Sequence, residues 1–212
     1  MSLIYDNVIF DLDGVIIDNS AGIYATILYA CDKLNIQRPD GETLKKFIGP
    51  SLKFSFKEYM HLPPEVVDAA VDCYRAEYGK TGIFNFKLYE GVEETLIKLK
   101  ELGIRCTIAS GKLQKSVEKI TIKAGIFDYF DKICAYDAPP SVSDKTDKIR
   151  EAIVGNRPIM VGDRIFDVEG AYKLGLDAVF ALYGFGSPDE IKAYPSAFKI
   201  SKISELIGLL TK

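Results

Sequence analysis

Short apolar runs alternate along most of the chain with longer stretches whose apolar residues recur every three or four positions. Asn7–Phe10, Arg105–Ala109, Lys132–Ala135, Pro158–Val161, Ala178–Ala181 and a weaker Ala197–Ile200 predict strands. Val92–Leu102, Gln114–Ala124, Thr146–Val154, Asp167–Leu174, Asp189–Tyr194 and Ile203–Leu210 predict helices. In the first of these, Val92, Leu96, Leu99 and Leu102 fall on the apolar side, and Gly103 supplies a stop. Regular alternation of strand and helix predicts an α/β fold, a parallel sheet with helices on both faces.

The alternation lapses between the first two strands. Ile23, Tyr24, Ile27, Leu28, Cys31 and Leu34 form one helical face, and Pro63-Pro64 opens a helix with Val66, Val67, Ala70, Val71, Tyr74 and Tyr78 on its apolar side. Shorter helices are expected over Glu42–Phe47 and Leu52–Met60. The chain therefore reads as a core of residues 1–17 and 88–212 carrying an all-helical insert, 18–87.

Composition excludes more than it identifies. With 48% hydrophobic residues the chain is too apolar for disorder, and a net charge of -3 gives no reason to expect a nucleic-acid polymer as partner. No run approaches the ~18 apolar residues that span a bilayer, and no signal sequence is read at the start, so a cytoplasmic protein without a membrane partner is expected. Cys31, Cys73, Cys106 and Cys134 are scattered without a C-x-x-C pair, which suits buried free thiols. The single histidine, His61, precedes Pro63-Pro64 and reads as a turn residue; histidine-based zinc sites and a Ser-His-Asp triad are almost ruled out.

The candidate chemistry is acidic. Asp11, Asp13 and Asp18 follow the first apolar run closely, and Asp163 and Asp167 follow Pro158–Val161. Ligands of open parallel sheets bind beyond the carboxyl ends of the strands, so the two groups can converge. A helix beginning at Asp163 would place Asp163 and Asp167 on one face. Uncompensated, such a cluster is unfavourable, and a divalent cation with oxygen ligands, Mg²⁺ above all, relieves it. Ala109-Ser110-Gly111-Lys112 after the second strand offers a hydroxyl and an amide to a phosphate. Ser143-Asp144-Lys145 opens a later helix and offers an ammonium, with Lys148 as a rival. Asp18 either marks the junction with the insert or caps a helix with Asn19 and Ser20; Arg164 is open between an ion pair and a substrate contact. Gly184-Phe185-Gly186 reads as a turn rather than a phosphate cradle.

At Asp11/Asp13, Ser110, Lys145 and Asp163/Asp167, in that order, the chain resembles the haloacid dehalogenase superfamily, and phosphoglycolate-phosphatase-like members in particular. The resemblance covers essentially the whole chain and implies a Rossmann-like three-layer core with a helical cap. It implies that Asp11 is the nucleophile and Asp13 the general acid and base. The Asp11 side chain, the Asp13 carbonyl and Asp163 would bind Mg²⁺. Ser110 and Lys145 would hold the phosphoryl oxygens with backbone amides near Leu12, Asp13 and Gly111, and Asp167 would orient Lys145 or a metal-bound water. Gly49, Pro50, Ser51 and Lys53 resemble the cap loop that selects substrate. Asp13 points to phosphomonoesters, because it lets an alcohol leave. The expected partner is a small phosphomonoester, of the phosphoglycolate or 5′-nucleotide kind, acted on by a monomer or weak dimer. A phosphomutase of the β-phosphoglucomutase type is an alternative, although no histidine stands on the first insert helix; a non-enzymatic phosphoacceptor or binding protein is another.

Overall fold

The computed structural model describes residues 3–138 and 144–211. The chain opens with β1 (Asn7–Phe10) and β2 (Ile17–Asp18) and continues into helices α1 (Ser20–Lys33), α2 (Gly41–Lys46), α3 (Leu52–Glu58) and α4 (Pro64–Tyr78). β3 (Lys87–Leu88), α5 (Val92–Glu101), β4 (Arg105–Leu113), α6 (Gln114–Lys123) and β5 (Lys132–Tyr136) follow. The remainder is α7 (Thr146–Glu151), β6 (Pro158–Gly162), α8 (Ile165–Lys173), β7 (Asp177–Ala181), β8 (Phe198–Ile200) and α9 (Leu206–Leu210). No helix among the described residues is long and apolar enough to cross a membrane.

The described residues form two compact units, one of residues 3–18, 88–138 and 144–211, the other Asn19–Lys87. The first is the expected α/β fold. Its parallel sheet runs β5-β4-β1-β6-β7-β8, with β1 flanked by β4 and β6. The chain moves outward from β1 in both directions, so the end of β1 is the topological switch point, where such sheets bind ligands. β1 is buried along its whole length, as a central strand covered on both faces must be. Ile9, Ala109, Met160 and Phe180 pack on one face with Ile149 of α7 and Val168 and Ala171 of α8. Successive strand residues point to opposite faces, so Val8 and Phe10 serve the other layer. Buried Asn7 ties adjacent elements, donating to the Thr107 hydroxyl at 3.3 Å and accepting from the Val154 amide at 3.0 Å.

The second unit is helical, apart from Lys87 at the start of β3, with a short 3₁₀ turn at Gly82–Phe84. Asp40 and Ser51 cap α2 and α3 by accepting from the Thr43 and Phe54 amides. Phe47 packs edge-on against Phe56 at 5.1 Å. Asn19 precedes α1 without a side-chain cap bond, and Asp18 lies in β2 at the junction with the helical insert.

Three helices of the core depart furthest from their expected extent. The segment expected as helix over Asp189–Tyr194 is a 3₁₀ turn at Pro188–Ile191, Ile203–Leu210 begins as 3₁₀, and Thr146–Val154 stops at Glu151. Each is too short to gain much from helix propagation, so tertiary packing sets its end. The start of α7 is pinned by Asp144, whose carboxylate accepts from the Thr146 amide at 2.8 Å and from its hydroxyl. These bonds, with Lys173 beside it, hold the Asp144 carboxyl down at about 2. Asp144→Ala is expected to lower stability by about 1 kcal/mol, read from denaturant melts. A carboxyl depressed in the folded chain stabilises above its unfolded value, about 4, and that contribution is lost as pH falls toward the folded value. The two proteins should therefore converge in acid.

Candidate active site

Asp11 directly follows β1, β4 carries Ser110 and β6 runs into Asp163, so adjacency of these three strands assembles the site. Asp11, Asp163 and Asp167 are buried, and one carboxylate oxygen from each lies within 4.8 Å of the others. Lys145 bridges two of them, its Nζ standing 2.8 Å from Asp11 Oδ1 and 2.7 Å from Asp167 Oδ1. Asp11 Oδ1 also accepts from the Leu12 amide at 2.7 Å. The Leu12 N–H expected to face a phosphate is thus engaged with the nucleophile candidate itself. Asp163 Oδ2 accepts from the Phe185 amide at 2.7 Å, while its buried Oδ1 has no hydrogen-bond partner among the described residues.

Burial pushes the Asp11 carboxyl up to about 7; Lys145 pulls it down, and Asp167 and Asp13 push it up. Burial likewise raises the Asp163 carboxyl, reinforced by Asp11 and Asp167. Burial works against the Lys145 ammonium, but Asp11 and Asp167 outweigh it and hold its proton firmly. Burial is the larger cost of ionisation here, and the crowding of three carboxylates beside one ammonium adds to it.

Several expectations need correction in their geometry. Ser110, Gly111 and Lys112 do not follow the strand but lie within it: β4 continues to Leu113 through a register irregularity after Ala109. The bulge re-aims Ser110, which is buried and whose hydroxyl accepts from the Lys112 amide at 3.2 Å. Gly111 lies beside Lys145, whose Cε stands 3.8 Å from the place a β-carbon would take. Asp163 and Asp167 do not meet through helical spacing either. α8 begins only at Ile165, and Asp167 Oδ2 folds back to accept from the Arg164 amide at 3.1 Å. Ser143 lies outside the described residues.

The Asp13 carboxylate stands outside the buried cluster, 3.0 Å from Lys112 Nζ. That pairing was not foreseen; a lysine two residues past the motif serine was its only signal. Lys148 is engaged with Glu151 at 2.8 Å. Arg164 pairs with Glu190 at 3.0 Å. In the helical unit, Gly49 has φ of 111°, and exposed Lys53 pairs with Asp68 at 2.6 Å.

Asp11, Ser110, Lys145 and Asp163 thus line the switch point of the sheet, where α/β proteins of this class bind their ligands. The profile of the haloacid dehalogenase-like hydrolases matches residues 8–181, and the chain belongs to that family. It is similar to the tyrosine-protein kinase PtkA of Mycobacterium tuberculosis, 31% identical over 95% of this chain and 72% of that protein. It is also similar to the 5′-nucleotidase of Pseudomonas aeruginosa, 30% identical over 99% of this chain and 97% of that one. The crystal structure of a predicted phosphatase from Clostridium acetobutylicum has a TM-score of 0.86 at 36% identity, over 98% of each chain. The chain is an enzyme of this hydrolase family, of the phosphatase kind.

Proposed function

We propose that the chain hydrolyses small phosphomonoesters, with Mg²⁺ as cofactor and Asp11 as nucleophile. The substrate is of the phosphoglycolate or 5′-nucleotide kind. The observation that carries this reading is the buried carboxylate cluster at the end of β1, where Lys145 and the Leu12 amide fix Asp11 Oδ1 and Asp163 Oδ1 has no donor among the described residues. The donor set suits the ion. Hard oxygens, an excess of negative charge and one buried oxygen lacking any donor are what a divalent cation satisfies. Asp11, Asp163 and the Asp13 carbonyl would hold it, and when bound it would offset charge on the phosphoryl group.

This chain's own residues supply the rest. With Oδ1 fixed, Asp11 Oδ2 is the oxygen that attacks phosphorus, forming an aspartyl-phosphate as the ester P–O bond breaks. Asp13 gives its proton to the departing alkoxide, then takes one from the water that attacks the same phosphorus and frees inorganic phosphate. Ser110 and Lys145 hold the phosphoryl oxygens with the Gly111 and Asp13 amides. Leu12 positions the nucleophile instead, and Asp167 aims Lys145. The insert 18–87 serves as a cap, with Gly49, Pro50, Ser51 and Lys53 in its selecting loop.

A panel of phosphomonoesters, together with pyrophosphate and ATP, tests the reading. Phosphate release is expected from at least one small ester, lost on chelation and restored by Mg²⁺. ATP is included because PtkA is named a kinase: transfer to tyrosine without release of phosphate from any ester would overturn hydrolysis as the function. Isomerised product in place of phosphate would instead identify a mutase.

A further inference from the structure

The strand-end loop after β7 lies against one carboxylate of the site. Phe185 donates its amide to Asp163 Oδ2 at 2.7 Å. The residues on either side admit no side chain: a β-carbon on Gly184 would stand 2.3 Å from Asp163 Cβ, and one on Gly186 would stand 1.8 Å from the Asp163 carbonyl oxygen. From the other side Gly14, at φ of 80°, leaves room for Oδ2, which a β-carbon there would meet at 2.0 Å. The two oxygens of Asp163 are thereby distinguished. Oδ2 is enclosed and hydrogen-bonded; Oδ1 is buried without a donor among the described residues.

The loop is itself tied down. Glu190 accepts from the Ser187 amide through Oε1 at 3.1 Å. Its Oε2 accepts from the Ile165 amide at 3.1 Å and from Arg164 Nε at 3.0 Å. One carboxylate thus joins the far end of the loop to the two residues that follow Asp163.

We propose that residues 184–190 form a clamp that fixes the Asp163 carboxylate so that Oδ1 alone is presented to the cation, with Glu190 as its positioning residue. The inference rests on the reading of Asp163 as a ligand of Mg²⁺. A carboxylate free to rotate would offer either oxygen and take hydrogen bonds from water, so holding it still raises affinity by removing that freedom before the ion arrives. A loop that merely packs would support stability and leave affinity alone.

The two are separated by measuring the unfolding midpoint of the full chain across a Mg²⁺ titration, which reports metal-free stability at its origin and affinity in its rise. Gly186→Ala and Glu190→Ala are each expected to weaken Mg²⁺ affinity by roughly 10–100-fold. Gly208→Ala, where a β-carbon meets nothing within 4 Å, should titrate like wild type. If Gly186→Ala does not fold, Glu190→Ala decides alone, since it adds no atom to the site. Variants with a lowered metal-free midpoint but wild-type affinity would reduce the loop to packing and overturn the clamp. A wild-type midpoint indifferent to Mg²⁺ would instead overturn the metal reading, and this inference with it.

Discussion

Asp11→Asn is expected to lower kcat by on the order of 10⁴-fold or more while leaving the fold intact. The amide oxygen can still accept from Leu12 and Lys145, so the local hydrogen bonds survive. What is lost is the anionic oxygen that attacks phosphorus, and no neighbour replaces it. Asp13 carries a carboxylate nearby, but it faces Lys112 outside the buried cluster. Steady-state phosphate release with the best ester of the panel measures the loss, and circular dichroism with a thermal melt checks the fold. Activity within tenfold of wild type would remove Asp11 from the nucleophile's role.

The second large effect is on stability as well as turnover. Lys145→Met removes the ammonium shared by Asp11 and Asp167 and leaves two buried carboxylates without their counter-charge. Breaking a buried pair in this way costs about 3–5 kcal/mol. The sign of its pH dependence follows from Asp11. Burial already sets that carboxyl at about 7, and loss of Lys145 sends it higher. A carboxyl raised above its unfolded value costs nothing below that value, and its cost grows as pH climbs toward the folded one. The deficit should therefore be smallest near pH 4 and largest at pH 8, and Mg²⁺ should recover part of it at pH 8 by supplying positive charge to the same oxygens. Denaturant melts of both proteins in chelator and in Mg²⁺, at the two pH values, decide this. A deficit independent of pH would mean that Lys145 contributes packing rather than charge.

The unevenness of what could be read from residues alone has a physical basis. Strands such as Asn7–Phe10 and Pro158–Gly162 announce themselves because both faces are buried, which demands near-continuous apolar runs. The site's inventory was legible for a related reason: polar residues that must work at a sheet's edge sit directly after those runs. Legibility failed where a contact joins distant segments. Beyond its place two residues after Ser110, nothing local distinguishes Lys112 as the partner of Asp13, and nothing local distinguishes Gly184-Phe185-Gly186 from any strand-end turn. The extension of β4 to Leu113 was hidden because Ser110 and Gly111 are turn-formers, and pairing with β5 overrode that preference.

By itself, the order of apolar and polar residues determined the alternation of strand and helix, the helical interruption and the set of carboxylates, hydroxyl and lysine available for chemistry. Period and turn preference act over a few residues, so they survive in a one-dimensional string. Only the tertiary structure decided which oxygen faces which proton. Placing β1 between β4 and β6 brings segments separated by about a hundred residues or more into one crevice. There, burial and hydrogen bonding assign Asp11 Oδ1 to Lys145 and leave Asp163 Oδ1 without a donor among the described residues.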